Sequence, residues 1–359
     1  MRVIITSPSL NPKENVSGIS SVTQFIVSNN SQVEYIHFEL GRKDNEPGGW
    51  HRVKALLGRY CAWKELLASC PDAIVHYNFP LSKASILRDP LFMRYALKKG
   101  HKMVVHVHGG LFLTAPTMPV WLRVILKKVF AWPIPFIVLS NMEKDILQTR
   151  FGAKEVCVLP NCVDLQDAKA FAEQKTECND NKPLRIGYLG RIEPNKGMTE
   201  LLEACKQLKK ENIPFSLSFA GKEQTNGEYL PKYEKSLGEN FHYAGLVSGQ
   251  KKCDFLRSLD VFVLPTYFEG LPMSLLETMS YGAVPVTTPV GSIPQVVTDE
   301  ENGLFIKKKD VESIVETVKR LHADRSLLRR LGEAARQTVF AEFSTQKYIE
   351  TLNGIYRKL

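Results

Sequence analysis

Two series of short apolar segments, each segment followed by a stretch of helical periodicity, constrain this chain more than any other feature of its sequence. The first series is Val3–Thr6, Val33–Phe38, Ala73–Tyr77, Met103–Val107, Phe136–Leu139 and Val156–Leu159. The second is Leu184–Leu189, Phe215–Ala220, Phe241–Tyr243, Val261–Leu264 and Val284–Thr287. Strands that are apolar throughout must be buried on both faces, and alternating helices supply the covering layers of a parallel sheet. Between the series lies a polar stretch, Asp167–Lys182. The expected fold class is therefore α/β, with two doubly wound Rossmann-like domains facing each other across a cleft. Their expected bounds are 1–165 and 183–343, joined by a linker at 166–182. In open sheets of this kind ligands bind at the carboxyl ends of the strands.

Composition narrows the class further. The 359 residues are 44% hydrophobic and 24% charged, which excludes a disordered, collagenous or coiled-coil chain. Seven cysteines, with no C-x-x-C pair, read as reduced thiols of a cytoplasmic protein rather than a disulfide framework or a zinc site. The opening MRVIITSPSL is too brief for the apolar core of a signal peptide, and no run approaches the ~20 apolar residues of a spanning helix. The expected location is the cytoplasm, with room for peripheral attachment to the inner face of the membrane. Net charge is +9, and its distribution is uneven: residues 1–165 carry +8 and residues 166–359 carry +1. A basic excess of this kind suits a nucleic acid, an anionic membrane or a phosphorylated substrate, and composition leaves the three open.

The common nucleotide loops are missing. No G-x-G-x-x-G follows the first strand, no G-x-x-x-x-G-K-[ST] occurs, and there is no D-x-D frame for a metal-held diphosphate. A phosphate site must then use helix N-termini and basic side chains. One such place is Gly190-Arg191-Ile192-Glu193-Pro194-Asn195-Lys196-Gly197, between a strand and a helix expected from about Met198. Gly190 allows a tight turn at the strand end, and Arg191 and Lys196 could stabilise the charge of a departing diphosphate. The plain alternative is a surface loop with two solvated cations.

The second place is Phe268-Glu269-Gly270-Leu271-Pro272-Met273-Ser274-Leu275-Leu276-Glu277. Pro272 suits a first helical turn, so the N–H groups around Met273, Ser274 and Leu275 are expected to form an anion cradle at a helix N-terminus. Glu269 before it and Glu277 after it would flank that cradle. Two carboxylates on either side of an anion site suit a ligand with hydroxyls at both ends of its phosphates, as in a nucleotide sugar. Either acid taken singly reads as a helix cap or a solvated helical residue.

With these motifs in view, the segment from Gly187 to about Phe305 resembles the C-terminal half of the retaining glycosyltransferases of family four, which have the glycosyltransferase-B fold. The resemblance rests on GYLGRIEPNKG, FAGK, DVFVLPTYFEGLPMSLLETMSYGAVPVTTPVGSIPQVV and ENGLF, with the E-x7-E spacing of Glu269 and Glu277 inside it. Fainter echoes in the first half are Val16-Ser17-Gly18-Ile19-Ser20, VHVHGG at 105–110, VLSNMEKDIL and LPNCVD at 159–164. The resemblance implies transfer of a sugar from a nucleoside diphosphate to an acceptor hydroxyl with retention of configuration, without a metal or other cofactor. It assigns Arg191 and Lys196 to the diphosphate, Glu277 to the ribose, and Glu269 to the transferred sugar, with backbone donors at Gly270 and Leu271. His108 matches the histidine near the reacting sugar, with His106 as the structural residue two positions earlier. Gly18 belongs to the phosphate-side loop, and Gly245, Leu246 and Val247 to the region beside the base. Two departures bear on loop geometry: Ser17 precedes Gly18 where a second glycine is common, and Cys162 stands in the Asn161–Asp164 turn where glycine is common.

Three stretches of the basic half interleave cations with aromatics: Trp50–Lys64, Phe92–Lys102 and Val120–Trp132. The last could be an interfacial helix with Trp121, Phe130 and Trp132 in lipid and Arg123, Lys127 and Lys128 at headgroups, or a core-packed helix. No recognition motif for nucleic acid accompanies these stretches. The expected acceptor is a saccharide or a lipid-linked group, consistent with an anionic surface. The segment 344–359 has an apolar stripe of Tyr348, Ile349, Leu352, Ile355 and Tyr356, and the resemblance implies that it returns to the first domain. The competing classes are another enzyme on the same fold, such as a phosphorylase or an epimerase, and a non-catalytic nucleotide-sugar binding subunit.

Overall fold

The structure, a computed structural model, describes residues 1–11, 14, 15, 17–41, 50–109, 111–114, 117–174, 182–225 and 227–359. Val16, Gly110 and residues 175–181 of the expected linker, with Cys178, lie outside the described residues. The chain divides into two compact units. Unit 1 comprises Met1–Asn161 and Gln346–Leu359, and unit 2 comprises Cys162–Thr345.

Unit 1 runs β1 (Arg2–Ser7), α1 (Gly18–Asn29), β2 (Glu34–Glu39), α2 (Trp50–Ser69), β3 (Ile74–Phe79), α3 (Lys83–Lys98), β4 (Met103–Val107), α4 (Leu111–Thr114), α5 (Val120–Phe130), β5 (Phe136–Val138), α6 (Asn141–Phe151) and β6 (Val156–Val158). Its sheet is parallel, in the order β2-β1-β3-β4-β5-β6. Unit 2 runs α7 (Gln166–Ala172), β7 (Leu184–Leu189), α8 (Met198–Lys210), β8 (Phe215–Ala220), α9 (Leu230–Leu237), β9 (Phe241–Tyr243), α10 (Gly249–Arg257), β10 (Val261–Leu264), α11 (Met273–Ser280), β11 (Val284–Thr287), β12 (Leu304–Phe305), α12 (Val311–Ala323) and α13 (Arg325–Glu342). Its sheet, also parallel, has the order β12-β11-β10-β7-β8-β9. The last helix, α14 (Thr345–Lys358), returns the chain to unit 1.

The two faces of the first sheet differ in kind. On one, Val75, Tyr77, Phe79, Val105, Val107, Phe136 and Val138 pack with Trp63 of α2, Phe92 and Met93 of α3, Leu126 and Phe130 of α5, and Leu147 of α6. The Trp63 indole N–H, buried in that core, donates to the Phe92 carbonyl at 3.0 Å, so the ring enters apolar surroundings with its polar atom satisfied. The other face carries polar side chains: Asn78 and His106 are register partners on β3 and β4, and His76 lies two residues before Asn78. Helix α14 closes over this face, burying Tyr348, Ile349, Leu352, Asn353, Ile355 and Tyr356. Tyr348 meets Phe25 of α1 edge to face, with ring centroids 6.0 Å apart.

Two expectations are corrected here. Residues 166–172, expected as linker, form a helix fixed to unit 2. Ala168 is buried beside Leu256 and Tyr281, and Asp167 pairs with Arg257 and accepts from the Tyr281 hydroxyl. Of the two readings of α5, the core-packed one holds for Phe130, which is fully buried against Phe136 and Phe151, and the interfacial one is corrected there. Only part of that helix faces water: Val120, Trp121 and Val124 are exposed beside Arg123, Lys127 and Lys128. No helix among the described residues is long and apolar enough to cross a membrane.

The turn into α6 holds a buried acid. Ser140 caps the helix by accepting from the Glu143 N–H at 3.2 Å, and the Glu143 carboxylate accepts from the Leu139 N–H at 2.8 Å. Burial raises the Glu143 carboxyl to about 7. A group held protonated in the fold but ionised when unfolded withdraws stability as pH rises between the two values. Glu143→Gln keeps an oxygen for the Leu139 N–H and cannot ionise. Its stability relative to wild type is expected to rise by about 2–3 kcal/mol from pH 5 to pH 8. Urea denaturation of both proteins at the two pH values checks this, and a constant difference would contradict it.

Candidate active site

In unit 2 the loop after β7 is stitched to the loop after β10. The Tyr267 N–H donates to the Asn195 carbonyl at 2.8 Å between them, and within the first loop the Tyr188 hydroxyl donates to the Arg191 carbonyl at 2.5 Å. Asn195 and Lys196 sit in a 3-10 turn that ends at Gly197, which has φ +73° and opens α8. A side chain at 197 would place its Cβ 2.2 Å from the Pro265 carbonyl oxygen, so glycine is required for the two loops to meet. This closeness brings Lys196 against Glu269, where the two side chains form a largely buried ion pair. Arg191 stays largely in solvent, 3.6 Å from Glu193.

The acidic segment is fixed from its other side. The Ser292 N–H donates to the Gly270 carbonyl at 3.0 Å, and the Thr266 hydroxyl donates to the Phe268 carbonyl at 3.1 Å. Leu271 and Leu275 are buried core anchors, so their contribution to a ligand site is through the backbone. Helix α11 starts at Met273, with Pro272 at its cap position rather than in its first turn. Pro272 offers no side-chain acceptor to the first N–H groups. Within the expected cradle the Leu275 N–H already donates to the Pro272 carbonyl at 3.2 Å, so Leu275 drops out as a donor there. Met273 and Ser274, both half-buried, begin the helix. Glu277, one turn in, accepts from Lys252 of α10 at 2.6 Å.

Leu246 and Val247 follow β9, and Leu246 is exposed. Gly245 precedes them, and its carbonyl accepts from the Gly221 N–H at 2.8 Å; the Gly190 N–H donates to the Ala220 carbonyl at 3.0 Å. The segments at 190, 220 and 245 are thus linked by backbone bonds at the carboxyl ends of β7, β8 and β9. Unit 2 therefore gathers Arg191, Lys196, Glu269, Gly270 and Glu277 onto loops and helix starts at one end of its sheet.

The remaining expected residues belong to unit 1. Gly18 is the first residue of α1, with Ser17 as its cap accepting from the Ser20 N–H at 3.2 Å. A Cβ at 18 would meet nothing within 4 Å, so packing does not require glycine there. His108, just past β4, lines a cavity of about 440 Å³ with Pro80, Leu81, Ser82, Lys83, Gly109 and Phe112. Burial and the neighbouring His76 hold its imidazole well below the usual histidine range, at about 3, so it is neutral at pH 7.

Sequence reasoning missed Lys252, Asn78 and the backbone contact of Gly291 with Glu269. Each acts on a residue more than twenty positions away, and no local pattern marks such a pairing.

Residues 170–338 match the model of a family described as glycosyl transferases group 1, somewhat under half of the chain. A curated relative, the capsular polysaccharide biosynthesis glycosyltransferase CapM of Staphylococcus aureus, is 29% identical over 61% of this chain and 58% of its own length. The chain thus spans less than two thirds of that relative. The Escherichia coli UDP-Gal:alpha-D-GlcNAc-diphosphoundecaprenol alpha-1,3-galactosyltransferase is 26% identical over 72% of this chain and 69% of its own. Among solved structures, sucrose-phosphate synthase from Thermosynechococcus elongatus superposes with a TM-score of 0.77 at 18% identity, covering 99% of this chain and 98% of its own. Anabaena HepE, solved with UDP, superposes with a TM-score of 0.75 at 13% identity over 100% of both chains. Two six-stranded parallel sheets in these orders, with those likenesses, give the chain the glycosyltransferase-B fold, and the stretch that matches the glycosyl transferases group 1 model lies within its second unit.

Proposed function

We propose that this protein transfers a sugar from a nucleoside-diphosphate sugar to an acceptor hydroxyl, with retention of anomeric configuration and without a metal. The observation that carries the reading is the arrangement in unit 2. A cation, Lys196, is held against the acid that precedes a helix N-terminus, and a second acid, Glu277, follows one turn into that helix. HepE, whose solved complexes contain UDP and UDP-glucose, supports a nucleotide donor.

In this reaction the acceptor oxygen bonds to the anomeric carbon as the bond from that carbon to the diphosphate breaks. The acceptor proton passes to the departing phosphate oxygen on the same face. Charge grows on the diphosphate as it separates, and Arg191 and Lys196 supply fixed positive charge to it, in place of a metal ion. Glu269 holds the hydroxyls of the transferred sugar and, through its ion pair, keeps Lys196 in place. Glu277 leaves Lys252 to accept from the ribose hydroxyls. His108 keeps the role that the resemblance implies, a contact with the reacting sugar.

The acceptor follows from the charge of the first half. The exposed Val120, Trp121 and Val124 with Arg123, Lys127 and Lys128 suit an anionic, lipid-linked acceptor, each near-surface cation adding roughly 1 kcal/mol at such a membrane. One curated relative is named for capsular polysaccharide biosynthesis and another for a diphosphoundecaprenol-linked acceptor, which supports a role in surface-glycan synthesis.

The ribose assignment is tested directly by Glu277→Ala. A charged hydrogen bond lost from a bound ligand is worth about 1.5–3 kcal/mol. The variant should therefore bind the nucleoside diphosphate at least roughly tenfold more weakly by calorimetry. Unchanged affinity would remove Glu277 from the site.

A further inference from the structure

The hydrogen bonds around His108 determine which of its nitrogens carries the proton. Its Nε2 lies 2.6 Å from Oδ1 of Asn78, and this is its only side-chain hydrogen bond among the described residues. The amide of Asn78 could be turned either way at this point, but its other partners settle the orientation. Its Nδ2 lies 2.7 Å from the Thr6 carbonyl oxygen, which can only accept, and 3.0 Å from the Thr23 hydroxyl. Nδ2 must face Thr6, so Oδ1 must face His108. An amide oxygen can only accept, and Nε2 of His108 must therefore be the protonated nitrogen. The Asn78 N–H also donates to the Thr6 hydroxyl at 3.1 Å, and Thr6, Thr23 and Asn78 are all buried.

The other side of the ring is held as firmly. His106 stacks on His108 with centroids 4.0 Å apart and planes 27° from parallel. Nδ1 of His106 is 3.2 Å from Nε2 of His76, whose Nδ1 is 2.6 Å from the Tyr356 hydroxyl of α14. Both of these histidines are fully buried.

From this geometry we propose that Asn78 is a positioning residue that fixes His108 as the Nε2–H tautomer, leaving Nδ1 as a bare acceptor for a ligand hydroxyl. Asn78 touches no ligand itself; it acts through the imidazole that lines the cavity. Under the reading of the reaction given above, on which only the ligand's identity rests, that hydroxyl belongs to a sugar. A neutral imidazole with a bare Nδ1 accepts from a hydroxyl, whereas the opposite tautomer would present an N–H there and favour a carbonyl or phosphate oxygen.

The test is read on the unliganded protein and needs no donor. Protein labelled with ¹⁵N histidine is examined by long-range ¹H–¹⁵N correlation at pH 7, with His108→Gln to assign the signal. The expected spectrum shows His108 neutral, with Nε2 protonated and Nδ1 bare. In Asn78→Ala the tautomer preference should fall to a mixture. Asn78→Leu, close to asparagine in size and without an acceptor, should release the preference in the same way. A wild-type spectrum with Nδ1 protonated, or an unchanged Nε2–H signature in both variants, would overturn the proposal. Should Asn78→Ala fail to fold, the wild-type tautomer and the leucine variant still decide. Failure here leaves nucleotide binding by unit 2 untouched, and failure of that binding leaves the tautomer result standing.

Discussion

Lys196→Ala is expected to yield a folded protein that turns over its donor about a hundredfold or more slowly at saturating donor. Removing one fixed donor or cation aimed at developing charge typically costs about 3–4 kcal/mol of transition-state stabilisation. Lys196 is well placed for such an effect, because the chain at Gly197 pins its backbone against Pro265 and Glu269 pins its side chain. An ammonium ion that is already ordered loses little freedom when the diphosphate separates. The substitution also strands Glu269, whose side chain is 15% exposed, without its cation. Comparing Lys196→Ala/Glu269→Gln with Glu269→Gln alone separates the two effects. If stranding the acid were the whole cause, these two variants would turn over equally; the double variant is expected to be slower by a factor on the order of a hundred. Near-wild-type turnover by a folded Lys196→Ala would remove Lys196 from the reaction. Circular dichroism and a denaturation midpoint establish the fold, and a coupled assay of nucleoside diphosphate release measures turnover.

The second large effect is expected from a residue that touches no ligand. Gly291 has φ +58°, and a Cβ there would lie 1.9 Å from the Glu269 carbonyl oxygen and 3.0 Å from that of Gly270. Both are backbone atoms, so the contact cannot be relieved by turning a side chain. Gly291→Ala is expected to destabilise unit 2 by about 2–4 kcal/mol, combining the left-handed conformation with overpacking. That corresponds to a fall in Tm of roughly 5–10 °C for a domain of this size. Because the displaced segment carries Glu269, nucleotide-sugar affinity should fall well below that of the wild type. Gly18→Ala, which meets no steric conflict in the fold, should leave stability near that of the wild type. Differential scanning calorimetry of both variants checks this, and a Gly291→Ala protein as stable as wild type would contradict it.

The sheets were readable in the sequence because strands buried on both faces leave unbroken apolar runs. Met103–Val107, Leu184–Leu189, Phe215–Ala220, Phe241–Tyr243, Val261–Leu264 and Val284–Thr287 have the bounds expected from those runs. Leu304–Phe305 was not expected as a strand, because two residues carry no period of their own and pair only through β11. Helix α7 escaped for a different reason. Its seven residues, QDAKAFA, hold one large apolar side chain and three alanines, too short a pattern to show a period, and the contacts of Ala168 and Asp167 with distant Leu256, Tyr281 and Arg257 hold it to unit 2.

Lys196 and Glu269 were legible as candidate site residues because motif and chemistry agree there. Their pairing was not, since it depends on loops 73 positions apart meeting at Gly197 and Pro265. Phe130 shows the limit of reading a helix by composition. An aromatic beside two lysines looks interfacial until the fold places Phe136 and Phe151 against it. Asn78 had no local signal, because the role proposed for it lies in which end of its amide, Oδ1 or Nδ2, faces His108.

The central claim is that the second unit holds a nucleotide sugar in order to break it. It is tested most directly by phosphorus NMR of concentrated protein incubated, without acceptor, with a panel of UDP-, GDP-, ADP- and CDP-linked sugars. The expected result is slow release of nucleoside diphosphate and free sugar from one donor class, abolished in Lys196→Ala. Intact donors throughout, although one of them binds at the Glu277 site, would contradict the claim and leave a binding subunit in its place.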